Sequence, residues 1–171
     1  MYLNKIWYIK AMEEQPPDAF ANIVGVSSNQ NIHGIVTFYT ILGGVIICAE
    51  VYNLPIDCNI YKSKVLGFHI HEGQVRSENQ KELNLDTLGH HYNPCQCPHP
   101  YHAGDLPPLF SNNGYALMGF VTNRFTVKEI IGRTIVIHDS PDDFTTQPSG
   151  NSGKIIAIGE IERNTLCKTN G

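Results

Sequence analysis

Apolar residues in this chain come in short blocks separated by polar and glycine-bearing stretches. From Ala19 onward the blocks read AFANIVGV, HGIVTFYTIL and GVIICAEVYNL, divided by Ser-Ser-Asn-Gln-Asn and by Gly43-Gly44. A second set follows: KVLGFHIH, YALMGFVTN, GRTIVIH and KIIAIGEIE. Blocks of this length, rich in Ile, Val, Phe and Tyr and bounded by turn residues, predict β-strands. No stretch carries the 3.6-residue repeat of a long helix. Seven or eight such strands joined by polar inserts predict an all-β antiparallel sandwich or barrel.

Two inserts stand out from this pattern. Residues 72–113 make a very long connection for a compact domain, and residues 139–153 a medium one. Long loops without a core of their own are usually functional, or are ordered by something other than burial. No repeat, linker or low-complexity tract divides the chain. The reading is therefore one domain over residues 19–171, preceded by an N-terminal arm of residues 1–18 in which Trp7 and Tyr8 are available to pack on the barrel or on a partner.

Composition narrows the function classes. The 171 residues are 42% hydrophobic and 16% charged, sufficient for one well-packed core. Twelve Lys+Arg against sixteen Asp+Glu give a net charge of −4, which argues against a nucleic-acid surface or a basic membrane patch. No window reaches the run of about 20 apolar residues that crosses a bilayer. The N-terminus MYLNKIWYIKAMEEQ has no signal-like apolar core, so a cytoplasmic location is the expectation. The five cysteines, scattered at 48, 58, 95, 97 and 167, fit reduced thiols better than a disulfide framework.

Histidine changes the picture most, because seven of the eight lie between His69 and His138. Side chains alternate across a strand, so His69 and His71 of GFHIH share a face opposite Ile70. A metal pair and a solvated structural pair both fit that motif alone. In the long insert, His99, His102 and Asp105 recur at three-residue steps within a Pro- and Gly-bearing loop, after His90-His91-Tyr92-Asn93-Pro94. Imidazole and carboxylate are zinc ligands, and metal binding can order a loop that burial cannot. His138 ends another strand block, with Asp139 and the pair Asp142-Asp143 just after it. His33, beside a turn glycine, reads as a surface residue.

Taken together, GFHIHE, HYNP, the H-x2-H-x2-D run ending in HAGDL, IIGRTIVIH with its following DD, and GNSG resemble copper/zinc superoxide dismutases in order and context. The resemblance spans roughly residues 19–161. It implies a Greek-key β-barrel close to an immunoglobulin-like sandwich, with copper and zinc as cofactors and superoxide as substrate. Carried over residue by residue, it implies copper on His69, His71, His91 and His138, and zinc on His91, His99, His102 and Asp105. His91 would then be shared, with His90 as the competing candidate. Asp142 would hydrogen-bond His69 and His99 from outside the metals, and Asp143 would cap or turn its loop. Arg133 would make structural hydrogen bonds.

The sequence also departs from the family's pattern. Ile155, preceded by Lys154, stands where the family places a channel arginine; Lys154 guides anions there only if its side chain reaches the channel. Ile158 stands at the family's disulfide cysteine, and residues 72–90 contain no cysteine to pair with it. Residues 139–150 contain no Lys or Arg. These departures motivate an alternative, a dismutase-like protein that holds zinc structurally and buffers copper with little or no turnover. A zinc hydrolase is a weaker reading, because four protein ligands leave no open position on zinc. A homodimer is compatible with all of these. Cys95 and Cys97 read as plain loop thiols or as a stray thiophilic site.

Overall fold

The computed structural model describes residues 15–57, 62–75 and 83–165. Trp7 and Tyr8 of the expected arm, and Cys58 and Cys167, lie outside the described residues. Within them nine strands form: β1 (Ala19–Gly25), β2 (His33–Ile41), β3 (Gly44–Tyr52), β4 (Ser63–Leu66), β5 (Phe68–His71), β6 (Leu109–Asn112), β7 (Ala116–Thr122), β8 (Thr134–His138) and β9 (Ile155–Arg163). A single helical turn, α1 (Val127–Ile130), and two short 3-10 turns, Ser27–Asn29 and Leu85–Leu88, complete the elements.

All pairings are antiparallel. Seven strands make one curled sheet in the order β5-β8-β9-β1-β2-β3-β7, and β4 pairs with β6. The two sheets are joined at both ends. β6 turns into β7 through an Asn112–Tyr115 bridge, and β4 runs into β5 through Gly67. The result is a β-barrel, one of the two architectures that the strand pattern anticipates and the one that the resemblance implies in Greek-key form.

Alternation explains the lining. In β1, Ala19, Ala21 and Ile23 point inward and their neighbours outward. Phe38, Ile47, Leu66, Phe68, Ile70, Leu109, Ile135 and Ile137 are completely buried in the same core. Each such side chain contributes roughly 1.5–3 kcal/mol by leaving water. β5 and β8 are buried on both faces, one over the barrel core and one beneath the long connections. That second face of β5 carries His69 and His71.

Two differences from the strand pattern matter for the site. The block KVLGFHIH is two strands that belong to different sheets. A side chain at Gly67 would fall on Ser152 and crowd His138, so the chain passes this point only as glycine. The second difference is β6, inside the long insert, where only Leu109 and Phe110 carry an apolar signal and the strand pairs with the short β4 alone. Asp18 closes the N-terminal end of the barrel. Its N–H donates to Phe38 O, its carbonyl accepts from Asn164 N–H, and its carboxylate accepts from Thr40 N–H.

Candidate metal centre

β5 is the platform for the site. Its Phe68 and Ile70 are held in the core, so His69 and His71 must face the other way. The backbone of β5 is also the strap for the long insert. Tyr92 N–H donates to Ile70 O, Ile70 N–H donates to Gly104 O, and Gly104 N–H donates to Tyr92 O. These bonds bring the segments around His91 and Asp105 against the histidine face, forming bridges between residues 71 and 91 and between 69 and 105. β8 lies on the other side of β5 and delivers His138 from its last position.

The histidines converge around His91. Its ring centroid lies 4.0 Å from that of His69, 5.0 Å from His71, 5.7 Å from both His99 and His102, and 6.5 Å from His138. Two groups of side chains could hold a metal ion: His69, His71, His91 and His138, and His91, His99, His102 and Asp105. Within each group the ligand atoms lie within 4.8 Å of one another, and every member is buried. His91 belongs to both. His90, its competitor by sequence, is exposed.

The unpaired atoms test whether metals fit. Buried polar atoms normally find a hydrogen-bond partner. Here His69 Nδ1, His71 Nε2, His91 Nε2, His99 Nδ1, His102 Nδ1 and His138 Nε2 are buried without one. In five of these rings, all but His102, the opposite nitrogen is engaged. His69 Nε2 and His99 Nε2 meet Asp142, His71 Nδ1 meets Gly89 O, His91 Nδ1 meets Asp105 and His138 Nδ1 meets Gly153 O. A ring that donates from one nitrogen presents a lone pair at the other. Five such lone-pair positions and the unpaired Nδ1 of His102, all buried and gathered in two groups, are the donor set that copper and zinc take.

Two carboxylates organise the groups. Asp105 Oδ1 lies 2.7 Å from His91 Nδ1, and its Oδ2 lies 3.1 Å from His99 Nδ1 and 3.3 Å from His102 Nδ1. Asp142 spans the groups, with Oδ2 at 2.8 Å from His69 Nε2 and Oδ1 at 2.9 Å from His99 Nε2. Gly150 backs that bridge with φ +68, and any side chain there would land on Asp142 Oδ1 and His99 Nε2. Asp143 turns the loop, accepting from the N–H and hydroxyl groups of Thr145 and Thr146.

Burial sets the protonation of His69, His71 and His138 in the first of these groups. It is the main cause that lowers His71 to about 3 and His138 to about 4, with neighbouring imidazoles adding to it. Burial also lowers His69, against the opposing hydrogen bond of Asp142. Burial by itself would raise Asp142, yet donation from His69, Phe144 N–H and His99 outweighs it and holds the carboxyl at about 2. Asp105 likewise stays below its ordinary value, burial being outweighed by the hydrogen bond and charge of His91 and by its histidine neighbours.

Residues that the motifs left out also shape the site. Arg124, which carries no motif signal, donates from Nη1 to the carbonyls of His102 and Asp105 at 3.2 and 2.9 Å and clamps the turn between them. Arg133 lies over the Tyr92 ring at 3.8 Å and donates to the carbonyls of Glu72 and Glu129. Lys154 is exposed just before β9, its N–H bound to Asp139 Oδ1. Ile155 and Ile158, the positions of the two departures, pack into one small apolar cluster with Leu85 and Leu88. Cys95 is exposed and Cys97 partly buried, both as free thiols. His33 stacks on Tyr52 at the surface.

A family profile described as copper/zinc superoxide dismutase (SODC) matches residues 32–161. A Cu-Zn superoxide dismutase of Aquifex aeolicus is 33% identical over 135 residues, covering 70% of this chain and 73% of the relative. One from Photobacterium leiognathi is 34% identical over 109 residues, covering 56% and 63%. An extracellular Cu-Zn superoxide dismutase of Drosophila melanogaster is 29% identical over 165 residues, covering 85% of each chain.

Proposed function

The chain belongs to the copper/zinc superoxide dismutase family, and we propose that it disproportionates superoxide: two superoxide ions and two protons become dioxygen and hydrogen peroxide. Copper is assigned to His69 Nδ1, His71 Nε2, His91 Nε2 and His138 Nε2. Zinc is assigned to His91 Nδ1, His99 Nδ1, His102 Nδ1 and the Asp105 carboxylate. The observation that carries this reading is the membership of His91 in both groups, with Nε2 unpaired toward one and Nδ1 turned to Asp105 in the other. Only the second group contains a carboxylate, which suits the closed four-ligand set of structural zinc.

When bound, copper supplies a one-electron couple and zinc a fixed positive charge. The protein supplies the rest. His91 Nε2 is the atom suited to hold a proton between the two half-reactions and to give it to the peroxide product. With Nδ1 held in the zinc group beside Asp105, the ring would keep its orientation meanwhile. Asp142 holds His69 and His99 in one tautomer each, and Gly153 O does the same for His138. Lys154 is the cation beside the His138–Gly153 contact and is assigned to guide the anion. No helix of the described residues is long and apolar enough to cross a membrane. The free thiols of Cys95 and Cys97 support a cytoplasmic location, although several relatives are named extracellular; fractionation of the host cell decides between them.

The test is superoxide decay after pulse generation, on protein loaded with both metals and on a zinc-only control. A copper-dependent acceleration is expected. Decay equal to that of the control rejects dismutation and leaves the copper-buffering alternative.

A further inference from the structure

A second group of apolar side chains sits apart from the barrel core. Val26, Leu88, Val136 and Ile158 are buried, and Val75, Leu85 and Ile155 pack against them. Val136 and Ile158 are direct partners on β8 and β9, and Val26 follows β1. Val75, Leu85 and Leu88 come from the long connection after β5. The cluster therefore fastens that connection to the outer face of the barrel without any covalent link. Leu88 is its deepest member from the loop, at 1% exposure.

Leu88 is also where the cluster meets the histidines. The next residue, Gly89, turns its carbonyl to His71 Nδ1 at 3.0 Å. Its φ of +66 suits glycine, and a side chain there would strike Glu72. On either side of it the backbone is zipped to the end of β5. Gly73 N–H donates to Leu88 O at 2.8 Å and Glu72 N–H donates to His90 O at 2.9 Å. The segment 88–90 is thus held laterally by β5 and from below by Leu88. The Gly89 carbonyl keeps the Nδ1 proton on His71, so Nε2 is the nitrogen presented, buried and unpaired, to the first ligand group.

We propose that Leu88 is a positioning residue for His71: its burial against Val136 and Ile158 fixes the Gly89 carbonyl, and through it the tautomer and ring orientation with which His71 presents Nε2. The consequence for copper rests on the ligand assignment above; the positioning itself does not. The device works by packing alone, so it does not respond to thiol reductants.

The test uses zinc-loaded protein and two readouts. One is the rate at which the His71 Nδ1–H exchanges with water, followed by nitrogen-edited NMR, with the His138 Nδ1–H as internal control. The other is copper affinity by chelator competition, with zinc content measured alongside. Leu88→Ala is expected to speed His71 exchange about tenfold or more and to weaken copper by a similar factor. His138 exchange and zinc content are expected to stay as in the parent, and Leu88→Met to restore both readouts. Ile155→Ala removes a partly buried member of the same cluster and serves if Leu88→Ala does not fold; it is expected to give a smaller acceleration in the same direction. Unchanged His71 exchange in either variant, or equal acceleration at His71 and His138, overturns the proposal. Faster His71 exchange in Leu88→Ala, with copper affinity unchanged both there and in His71→Ala, supports the positioning role and removes His71 from the copper set.

Discussion

Asp142 Oδ2 lies 2.8 Å from His69 Nε2 across 73 residues of sequence. Because Oδ1 of the same carboxylate reaches His99 Nε2, one buried side chain controls a ring in each ligand group. Losing it leaves two imidazole N–H groups without an acceptor in a water-poor site, and each ring becomes free to change tautomer.

Asp142→Ala is therefore expected to weaken both metals, by about 10- to 100-fold each. Asp142→Asn is expected to fall between, since its amide offers one acceptor and one donor to two donors. Chelator competition for copper and zinc, measured separately, checks this. Zinc affinity equal to the parent in Asp142→Ala would show that His99 does not depend on the bridge.

His138 and Asp105 each belong to one group only. His138→Ala is expected to bring copper to a small fraction of an equivalent while zinc stays near one. Asp105→Ala is expected to lose zinc first. Elemental analysis after dialysis reads both, and equal loss of the two metals in the His138 variant contradicts the division into sets.

Acid should destabilise the metal-free protein in a defined window. The native pKa of His71 is about 3 and of His138 about 4, against an ordinary 6.5. Between those values the unfolded chain binds protons that the native state refuses, so stability rises with pH across the window and falls on acidification. Asp142, at about 2 against an ordinary 3.8, adds a loss of the same sign at lower pH. Each unit is worth about 1.4 kcal/mol. Thermal unfolding of chelator-treated protein should show Tm dropping steeply from pH 6.5 to 4; a flat Tm there contradicts the buried neutral imidazoles.

Lys154 acts at a distance if it guides the anion. Lys154→Gln is expected to lower the superoxide rate by less than about tenfold and to flatten its dependence on ionic strength, with both metals retained. Stopped-flow decay at several salt concentrations checks it. An arginine at 155 would have to leave the cluster that Ile155 shares with Leu88, so any gain in guidance would come with a loss of packing.

Much of the site is legible in the order of the residues. The two-residue strand period places His69 and His71 on one face, and the three-residue steps of His99, His102 and Asp105 mark a loop that a metal can order. The strand blocks and turn residues likewise describe a barrel. The features that the residue pattern does not carry are non-local. β6 has too few apolar residues to stand out from a polar insert, and it exists because β4 offers it an edge. Arg124 and Leu88 carry no motif, since what they do depends on which carbonyl each one meets.

By itself the sequence determined the all-β class, the alternation that turns two histidines away from the core, and the chemical identity of every residue in both ligand groups. Those properties follow from local periodicity and from side-chain chemistry, which travel with the chain. The family resemblance already pointed to His91 rather than His90 and to Asp142 between His69 and His99; the tertiary structure supplies the contacts, and it alone reveals the anchoring of Gly89 by Leu88. Each depends on contacts between segments far apart in the chain, and such contacts form only when β5 has a core on one face and the long insert strapped to its edge.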